Sequence, residues 1–182
     1  ADASDLLYVM DYDTRSQVFD ACLASANAPY FGMIKGLQRY FDIGISPSQL
    51  VLGVPWYGYH YSCLPGTTPT DRYCPIQSKP FRGINCSDAA GGEIQLDDIM
   101  KVRQVNMTAF GTDENMHASW FNTFDGTTVS QYWYDDADSL SLKYAWAKAN
   151  NIRGVGPFTF EDIDLLPVAH RENIWKAFDS FF

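Results

Sequence analysis

The stretch LYVMDYD (residues 7–13), read together with LVLGVPWYGY (residues 50–59), decides the fold. Each stretch is an apolar run of strand length that ends in aromatic or carboxylate residues. Strands that are buried along their length and polar only at the far end are typical of the parallel strands of a β/α barrel. In such a barrel the active site lies at the carboxyl ends of the strands. The two stretches therefore predict both an architecture and a place for the chemistry.

The residues around these stretches predict helices. A short helix over residues 16–25 is expected to end before Pro29, because the residue before a proline avoids helix. A second helix over residues 30–41 is indicated by apolar residues at spacings of three and four. Gly44 and Pro47 follow it as stop signals. A strand over residues 50–57 comes next, and this strand, helix, strand order predicts a parallel sheet.

The segment 60–130 breaks this rhythm, since it holds prolines, glycine pairs and three of the cysteines. It is too long for a plain barrel connection, so we interpret it as an inserted α+β subdomain. We expect a helix near residues 97–104 and a strand at 129–134. A helix at 139–149, with Asp138 or Ser139 as its N-cap, a last strand at 153–160 and a closing helix at 173–182 should follow.

Length and composition restrict the class of protein. A chain of 182 residues is short for a full β/α barrel, which typically needs about 250 residues. The net charge of −9 argues against nucleic acid as a partner, because nucleic-acid-binding proteins carry basic patches. Since no apolar run approaches ~20 residues, we expect no membrane insertion.

Cysteine and asparagine motifs indicate the compartment. The four cysteines are Cys22, Cys63, Cys74 and Cys86. None forms a CxxC pair, so zinc is not expected, and their even number favours disulfides in a secreted or lysosomal protein. Sequons at Asn85 and Asn106 agree with glycosylation there. Of the three pairings that four cysteines allow, we favour Cys22 with Cys63 and Cys74 with Cys86, because Cys22 and Cys63 both follow strands.

Several motifs in order carry a family resemblance. MxYD at Met10, Tyr12 and Asp13 resembles the sixth-strand motif of the family 18 glycoside hydrolases, the chitinases and their relatives. GVPWYG (residues 53–58) resembles their seventh-strand motif. WYDDADSLSLKYAWAKANNIRGVG (residues 133–156) is similar to the segment that closes their insertion domain and leads through a helix into strand eight. The resemblance covers nearly the whole chain.

The same resemblance shows an absence. The family signature DxxDxDxE, whose glutamate is the general acid, does not occur in this sequence. The resemblance therefore implies an α/β fold that forms the C-terminal part of a (β/α)8 TIM barrel, strands six to eight, with an inserted α+β subdomain. Residues 1–59 would hold strands six and seven, 60–134 the insertion, and 135–182 the last helix, strand and helix. The expected partner is the N-terminal half of the same barrel.

The resemblance implies a glycoside hydrolase acting on N-acetylglucosamine oligosaccharides, such as the chitobiose core of N-glycans or chitin oligomers. In this family the substrate's own acetamido oxygen attacks the anomeric carbon, and the outcome is retaining. Tyr12 matches the tyrosine that bonds this oxygen, Asp13 the carboxylate that bonds sugar hydroxyls, and Met10 the methionine under the acetamido group. Taken alone, Tyr12 would be a core residue and Asp13 a helix N-cap.

Further candidates surround this pair. Trp56 and Tyr57 end the second stretch with rings that suit the apolar faces of pyranoses. Phe158 stands where the family has the tryptophan that forms the floor of the site, and Pro157 beside it is expected to interrupt the sheet's hydrogen bonding. The other substrate-binding candidates are Arg82, from the insertion, and Asp136, from the YDD motif. Arg82 could instead be exposed, and Asp136 could only shape a turn.

Two classes of function follow. The first is an enzyme whose catalytic glutamate lies outside this chain, and which acts in a lysosome or after secretion. The second is a catalytically inactive, chitinase-like sugar-binding or structural protein, which Phe158 and the missing signature favour. The three histidines are scattered without metal-ligand spacing, and there is no glycine-rich phosphate loop, so no cofactor is expected.

Overall fold

The computed structural model describes residues 3–14 and 21–182, and within them the chain forms eight β-strands and four α-helices. The strands are β1 Leu7–Met10, β2 Leu50–Pro55, β3 Tyr57–Ser62, β4 Gly91–Gln95, β5 Met107–Asp113, β6 Ala118–Phe124, β7 Val129–Tyr134 and β8 Gly154–Phe158. The helices are α1 Tyr30–Asp42, α2 Leu96–Asn106, α3 Ala137–Ala149 and α4 Val168–Lys176. Short 3-10 turns lie at Pro47–Gln49, Asp88–Ala90, Phe160–Ile163 and Ala177–Ser180.

The strands β1, β2 and β8 form a parallel sheet in the order β1-β2-β8. The helix α1 connects β1 to β2, which confirms the predicted strand, helix, strand order. The turn after α1 uses Gly44, whose φ of 86° lies in the left-handed region that glycine adopts without strain. Because all three strands run in the same direction, their carboxyl ends meet at one edge of the sheet.

Pro157 does not interrupt this sheet. It lies opposite Val54 in the register, and pairing continues one residue further to Phe158. The backbone N–H of Trp56 then donates to the carbonyl of Phe158 at 2.8 Å. The strand β8 is an edge strand among the described residues, and a proline is tolerated at an edge because the missing N–H is not needed there.

One face of the parallel sheet is covered by helices. Leu50, Leu52 and Val54 point to this face and are buried against Met33 and Leu37 of α1 and apolar residues of α3. Burying an aliphatic side chain of this size typically contributes about 1.5–3 kcal/mol. The apolar run of β2 therefore forms the core of this half of the molecule, as the sequence predicted.

The opposite face of the sheet is exposed. Tyr8 and Met10 alternate with the buried Val9, and their side chains are 45% and 70% exposed. The ring of Tyr8 lies across Gly53, where an added Cβ would come within 2.5 Å of it, and the Tyr8 hydroxyl donates to the Gly156 carbonyl at 3.0 Å. This face thus exposes the large side chains of Tyr8 and Met10, and the ring of Tyr8 packs over Gly53 and Gly156.

The residues between β2 and β8 also build an antiparallel sheet, in the order β4-β3-β7-β6-β5. The predicted strand 129–134 is confirmed as β7, and the predicted helix near 97–104 as α2. The predicted strand 50–57 is interrupted at Trp56, because β2 pairs with β1 and β8 whereas β3 pairs with β4 and β7. The strand β3 continues across the predicted boundary at residue 59.

Three helix predictions need correction. The closing helix, expected over residues 173–182, is α4 at Val168–Lys176, and it is followed by the 3-10 turn at Ala177–Ser180. The helix α3 begins at Ala137, and its N-cap is Asp136 rather than Asp138 or Ser139. In the predicted helix 16–25, residues 16–20 lie outside the described part of the chain, and residues 21–25 are not helical. Leu23 instead forms an isolated antiparallel bridge with Pro75, since residues 21–25 lie alongside the end of the loop of residues 64–75.

The favoured disulfide pairing is wrong. The structure joins Cys22 to Cys86 and Cys63 to Cys74, with Cα atoms 5.1 Å apart in each pair. The short loop after β3 folds back on itself, where the N–H of Leu64 donates to the Pro75 carbonyl at 2.7 Å. This turn brings Cys74 to Cys63 and leaves Cys22 for Cys86. The spacing of the cysteines in the sequence does not indicate a chain reversal of this kind.

Candidate functional site

Three aromatic rings meet at the carboxyl ends of the parallel strands. Tyr12 follows β1, Tyr57 follows β2, and Phe158 ends β8. The rings of Tyr12 and Phe158 are stacked, with centroids 5.4 Å apart and planes inclined by 15°. The ring of Tyr57 stands edge-on to both, at 6.2 and 6.3 Å. We call these three residues the aromatic cluster; its geometry brings together three of the predicted site residues.

Asp13 lies beside the aromatic cluster and accepts hydrogen bonds from two tyrosines. The Tyr57 hydroxyl donates to Asp13 Oδ1 at 2.5 Å, and the Tyr59 hydroxyl donates to the same oxygen at 3.3 Å. The Tyr59 hydroxyl is also 3.3 Å from Glu93 Oε1, so its single proton lies between two carboxyl groups. A carboxylate only accepts hydrogen bonds, so the two phenol donors fix the orientation of the Asp13 side chain.

The backbone of Asp13 is held in an uncommon conformation. Its φ is 55°, in the left-handed region, where aspartate is found more often than most residues. The N–H of Asp13 donates to Asn27 Oδ1 at 2.6 Å, and the next residue, Thr14, donates its N–H and hydroxyl to the Asn27 carbonyl at 3.2 and 3.1 Å. Asn27 therefore fixes the turn that aims Asp13.

The tyrosines of the site are protonated donors. Burial, followed by the hydrogen bond to Asp13, raises the pKa of Tyr57 well above its usual range. Burial and then the nearby Asp13 charge also raise the pKa of Tyr12. Both effects disfavour the phenolate. At neutral and acidic pH, the hydroxyl of Tyr12 is thus available to donate to an oxygen of a ligand.

A cleft of about 470 Å³ opens next to the aromatic cluster, between the end of β8 and the strand β4. Its lining consists of Tyr57, Glu93, Ile94, Gln95, Phe158, Thr159 and Glu161. The cleft combines two aromatic side chains with two glutamates. Aromatic faces and carboxylates together suit a ligand that has both apolar C–H faces and hydroxyl groups, as a pyranose has.

Trp56 does not belong to this site. Only 1% of the residue is exposed, and its ring packs edge-on against Trp175 and Phe178, at 5.1 and 5.8 Å. The expectation that it contacts substrate is therefore wrong. Neighbouring residues of an extended chain point in opposite directions, so when Tyr57 faces the site, Trp56 must face the helices.

The three remaining candidates are not members of the aromatic cluster. Arg82 is exposed, and its guanidinium lies 5.2 Å from the ring of Phe81. Asp136 accepts hydrogen bonds from the backbone N–H groups of Asp138 and Ser139, so it shapes a helix start. Met10 lies on the exposed face of the parallel sheet, one alternation before Tyr12.

Sequence reasoning missed three residues of the site: Asn27, Tyr59 and Glu93. The period of two in YGYHY, which places Tyr57 and Tyr59 on the same face of β3, could have found Tyr59. Glu93 lies opposite Tyr59 in the antiparallel register, which only the sheet reveals. Asn27 precedes Ala28 and Pro29 with no feature that distinguishes it from a loop residue.

Within residues 3–14 and 21–182, no group of three or more histidine, cysteine or acidic side chains is placed to hold a metal ion. In the same part of the chain, none of the helices is sufficiently long and apolar to span a bilayer.

Comparisons with known proteins agree with the geometry. The family model "Glycosyl hydrolases family 18" matches residues 1–162. The di-N-acetylchitobiase of Rattus norvegicus is 42% identical over 184 residues, which is 97% of this chain and 49% of the rat protein. The chain spans about half the length of the curated relatives it matches.

Solved structures share the fold. The Group IV chitinase of Ostrinia furnacalis, in complex with allosamidin, superposes with a TM-score of 0.74 at 18% identity, covering 97% of this chain and 49% of that one. The chitinase-like agglutinin of Robinia pseudoacacia gives a TM-score of 0.68 at 23% identity, covering 96% and 47%. With the α/β architecture and the match over residues 1–162, these findings show that the chain belongs to family 18 of the glycosyl hydrolases.

Proposed function

We propose that this chain is part of a glycosidase that hydrolyses N-acetylglucosamine oligosaccharides, including the chitobiose core of N-glycans and chitin oligomers. The observation that carries the proposal is the hydrogen-bonded pair of Tyr57 and Asp13 beside the stacked rings of Tyr12 and Phe158, at the carboxyl ends of three parallel strands. The name of the rat relative, di-N-acetylchitobiase, supports chitobiose as the substrate.

The proposed chemistry is substrate-assisted hydrolysis with retention of configuration. The hydroxyl of Tyr12 donates to the acetamido oxygen of the bound sugar and holds it in line with the anomeric carbon. Such positioning converts a rare collision into an intramolecular step and is worth several kcal/mol. Asp13, oriented by Tyr57 and Tyr59, accepts hydrogen bonds from the sugar. Phe158 provides an apolar surface under the pyranose ring.

In this proposal the proton donor is a glutamate outside this chain. β1, β2 and β8 are the sixth, seventh and eighth strands of a TIM barrel, and the antiparallel sheet belongs to an insertion between the last two. The N-terminal half of the barrel, carried by a separate chain or by the same polypeptide, covers the exposed face that bears Tyr8 and Met10. The support for this partner is the exposure of that apolar face and the absence of DxxDxDxE from the sequence.

We further propose that the protein acts in a lysosome or after secretion. The two disulfides support an oxidising compartment. Asn85 and Asn106, the sequon asparagines, are both exposed, so that a glycan at either position would extend into solvent.

The test uses the complete protein and a fluorogenic N-acetylglucosamine disaccharide at mildly acidic pH. Tyr12→Phe keeps the ring and its stacking on Phe158 but removes the hydroxyl, and we expect kcat to fall about hundredfold or more. The matched control is Tyr40→Phe, on α1 behind the sheet, which should retain wild-type turnover. Equal turnover by wild type and Tyr12→Phe would contradict the role of Tyr12.

Phe158 favours a second function, a catalytically inactive sugar-binding protein. The family resemblance implies tryptophan at this position, and phenylalanine offers a smaller face without an N–H donor. In the same experiment, binding of the disaccharide by calorimetry without turnover would support this alternative. Restoring turnover with Phe158→Trp would identify the lost stacking as the cause.

A further inference from the structure

A lysine is buried completely behind the site. Lys143, on α3, is 0% exposed, and its ammonium donates to both carboxylate oxygens of Asp135 at 2.7 and 2.6 Å. The third donor of the ammonium is used by the carbonyl of Ala28, at 2.6 Å. Because a lysine has three N–H donors, these contacts satisfy it fully. Neither residue of the pair reaches the cleft.

The acceptor of the third bond is the neighbour of Asn27. Asn27 and Ala28 are both buried, and Asn27 binds the backbone of Asp13 and Thr14 through its side chain and carbonyl. Hydrogen bonds from α3 to Ala28 and from Asn27 to the turn that carries Asp13 are therefore linked through the peptide bond between Asn27 and Ala28.

Asp11, the first residue after β1, is also influenced by the charge of the same cation. Its carboxyl is buried, and Oδ2 has no hydrogen-bond partner among the described residues. Burial raises the pKa of Asp11 to about 6, and the Lys143 ammonium opposes this rise. Lys143 thus interacts with both sides of the turn, through Ala28 on one side and through Asp11, the residue before Tyr12, on the other.

We propose that the Asp135–Lys143 pair is a positioning device that holds Asp13 and Tyr12 in their orientation toward the sugar, acting through Ala28 and Asn27. This inference rests on the proposed function for its effect on turnover, although the positioning itself can be measured without activity. The pair is a positioning element and not a catalytic one, since neither side chain touches the cleft.

The energetics determine the variant that tests this proposal. Removing one member of a buried ion pair leaves an uncompensated charge and destabilises the fold strongly, whereas replacing both members with neutral residues of similar size is often tolerated. The double variant Asp135→Asn/Lys143→Met therefore removes the charges and the bond to Ala28 together. The matched control is Lys148→Met, an exposed lysine of the same helix.

The experiment measures amide hydrogen exchange and kinetics on the complete protein. In the double variant we expect the amides of Asp13 and Thr14 to exchange about tenfold faster or more, while amides of β6 and β7 stay protected. We expect kcat to fall roughly tenfold to hundredfold with a smaller change in KM, because misplacement affects the transition state most. Lys148→Met should leave exchange and kinetics unchanged.

The outcomes separate this inference from the proposed function. Exchange of Asp13 and Thr14 at the wild-type rate in a folded double variant would overturn the positioning role. If the double variant does not fold, Asn27→Ala tests the same path without disturbing the ion pair, and unchanged exchange there would also overturn it. A wild-type protein without turnover would refute only the proposed function, since the exchange comparison needs no substrate.

Discussion

The side chains of Asp13, Tyr57 and Tyr59 form a hydrogen-bonded unit in which the phenols are donors and the carboxylate is the acceptor. The raised pKa of Tyr57 means that this direction of donation holds throughout the neutral and acidic range. Asp13 is thereby presented with a fixed orientation, which is what a group that binds one particular sugar hydroxyl requires. At the scale of single residues, the site is already oriented before any ligand binds.

Asp11 makes stability depend on pH. Its pKa is raised by burial from 3.8 to about 6, so the native state binds this proton more tightly than the unfolded chain. The contribution is fully present below about pH 4 and is lost as the pH rises through about 6, a difference of about 3 kcal/mol. We expect Asp11→Asn to gain stability relative to wild type by up to this amount between pH 4 and 7.

Urea unfolding of the complete protein at several pH values checks this expectation. Asp42→Asn, at an exposed carboxyl on the last turn of α1, is the control for removing an acidic side chain. Parallel stability curves for wild type and Asp11→Asn would show that the carboxyl of Asp11 does not titrate between pH 4 and 7.

The start of α3 illustrates how one element is specified. Asp136 accepts from the N–H groups of Asp138 and Ser139, and the Ser119 hydroxyl of β6 donates to the same carboxylate. The residue therefore satisfies backbone donors at the helix start and joins the helix to the antiparallel sheet. Both aspartates of the YDD motif therefore make structural contacts: Asp136 caps α3, and Asp135 accepts hydrogen bonds from Lys143.

Removing this cap should destabilise the fold. We expect Asp136→Ala to lower the free energy of unfolding by about 1–2 kcal/mol, because two backbone N–H groups lose their acceptor. The control Asp138→Ala, in the first turn with an exposed side chain, should cost less than about 1 kcal/mol through the helix dipole alone. Chemical denaturation measures both. A fall in sugar affinity with unchanged stability would instead make Asp136 a ligand-binding residue.

The molecule as a whole leaves the parallel sheet uncovered on one face. Met10 is 70% exposed there, and neither edge strand, β1 or β8, has an outer neighbour among the described residues. Open edges and apolar faces are normally covered in stable proteins. The 182 residues produced alone are therefore expected to lack a cooperative unfolding transition, and native mass measurement of the source protein is expected to show a heavier species.

A substitution on this face tests the covering directly. If another half-barrel packs over it, Met10→Glu should destabilise the complete protein by about 3 kcal/mol or more, since a charge becomes buried. The control Val105→Glu, on α2 where the side chain is 79% exposed, should change stability by less than about 0.5 kcal/mol. Equal effects of the two substitutions in thermal unfolding would show that Met10 remains in water.

The sequence by itself determined several of the elements and their order along the chain. The apolar run from Leu50 and the apolar spacings in residues 30–41 are local patterns, and Gly44 ends α1 for a local steric reason. The strands β2 and β7 and the helix α1 accordingly begin where they were predicted, although β2 ends at Pro55 and not at residue 57. The site residues Tyr12, Tyr57 and Phe158 were identified from the family resemblance, and parallel strands bring the carboxyl ends that carry them to one edge.

Only the tertiary structure decided which of these residues meet. The disulfide partners depend on a loop that folds back after β3, and the burial of Trp56 depends on the direction in which the chain leaves β2. The path from Lys143 to Asp13 joins residues 130 positions apart through a buried carbonyl. Such contacts are long-range and depend on burial, so no local spacing in the sequence encodes them.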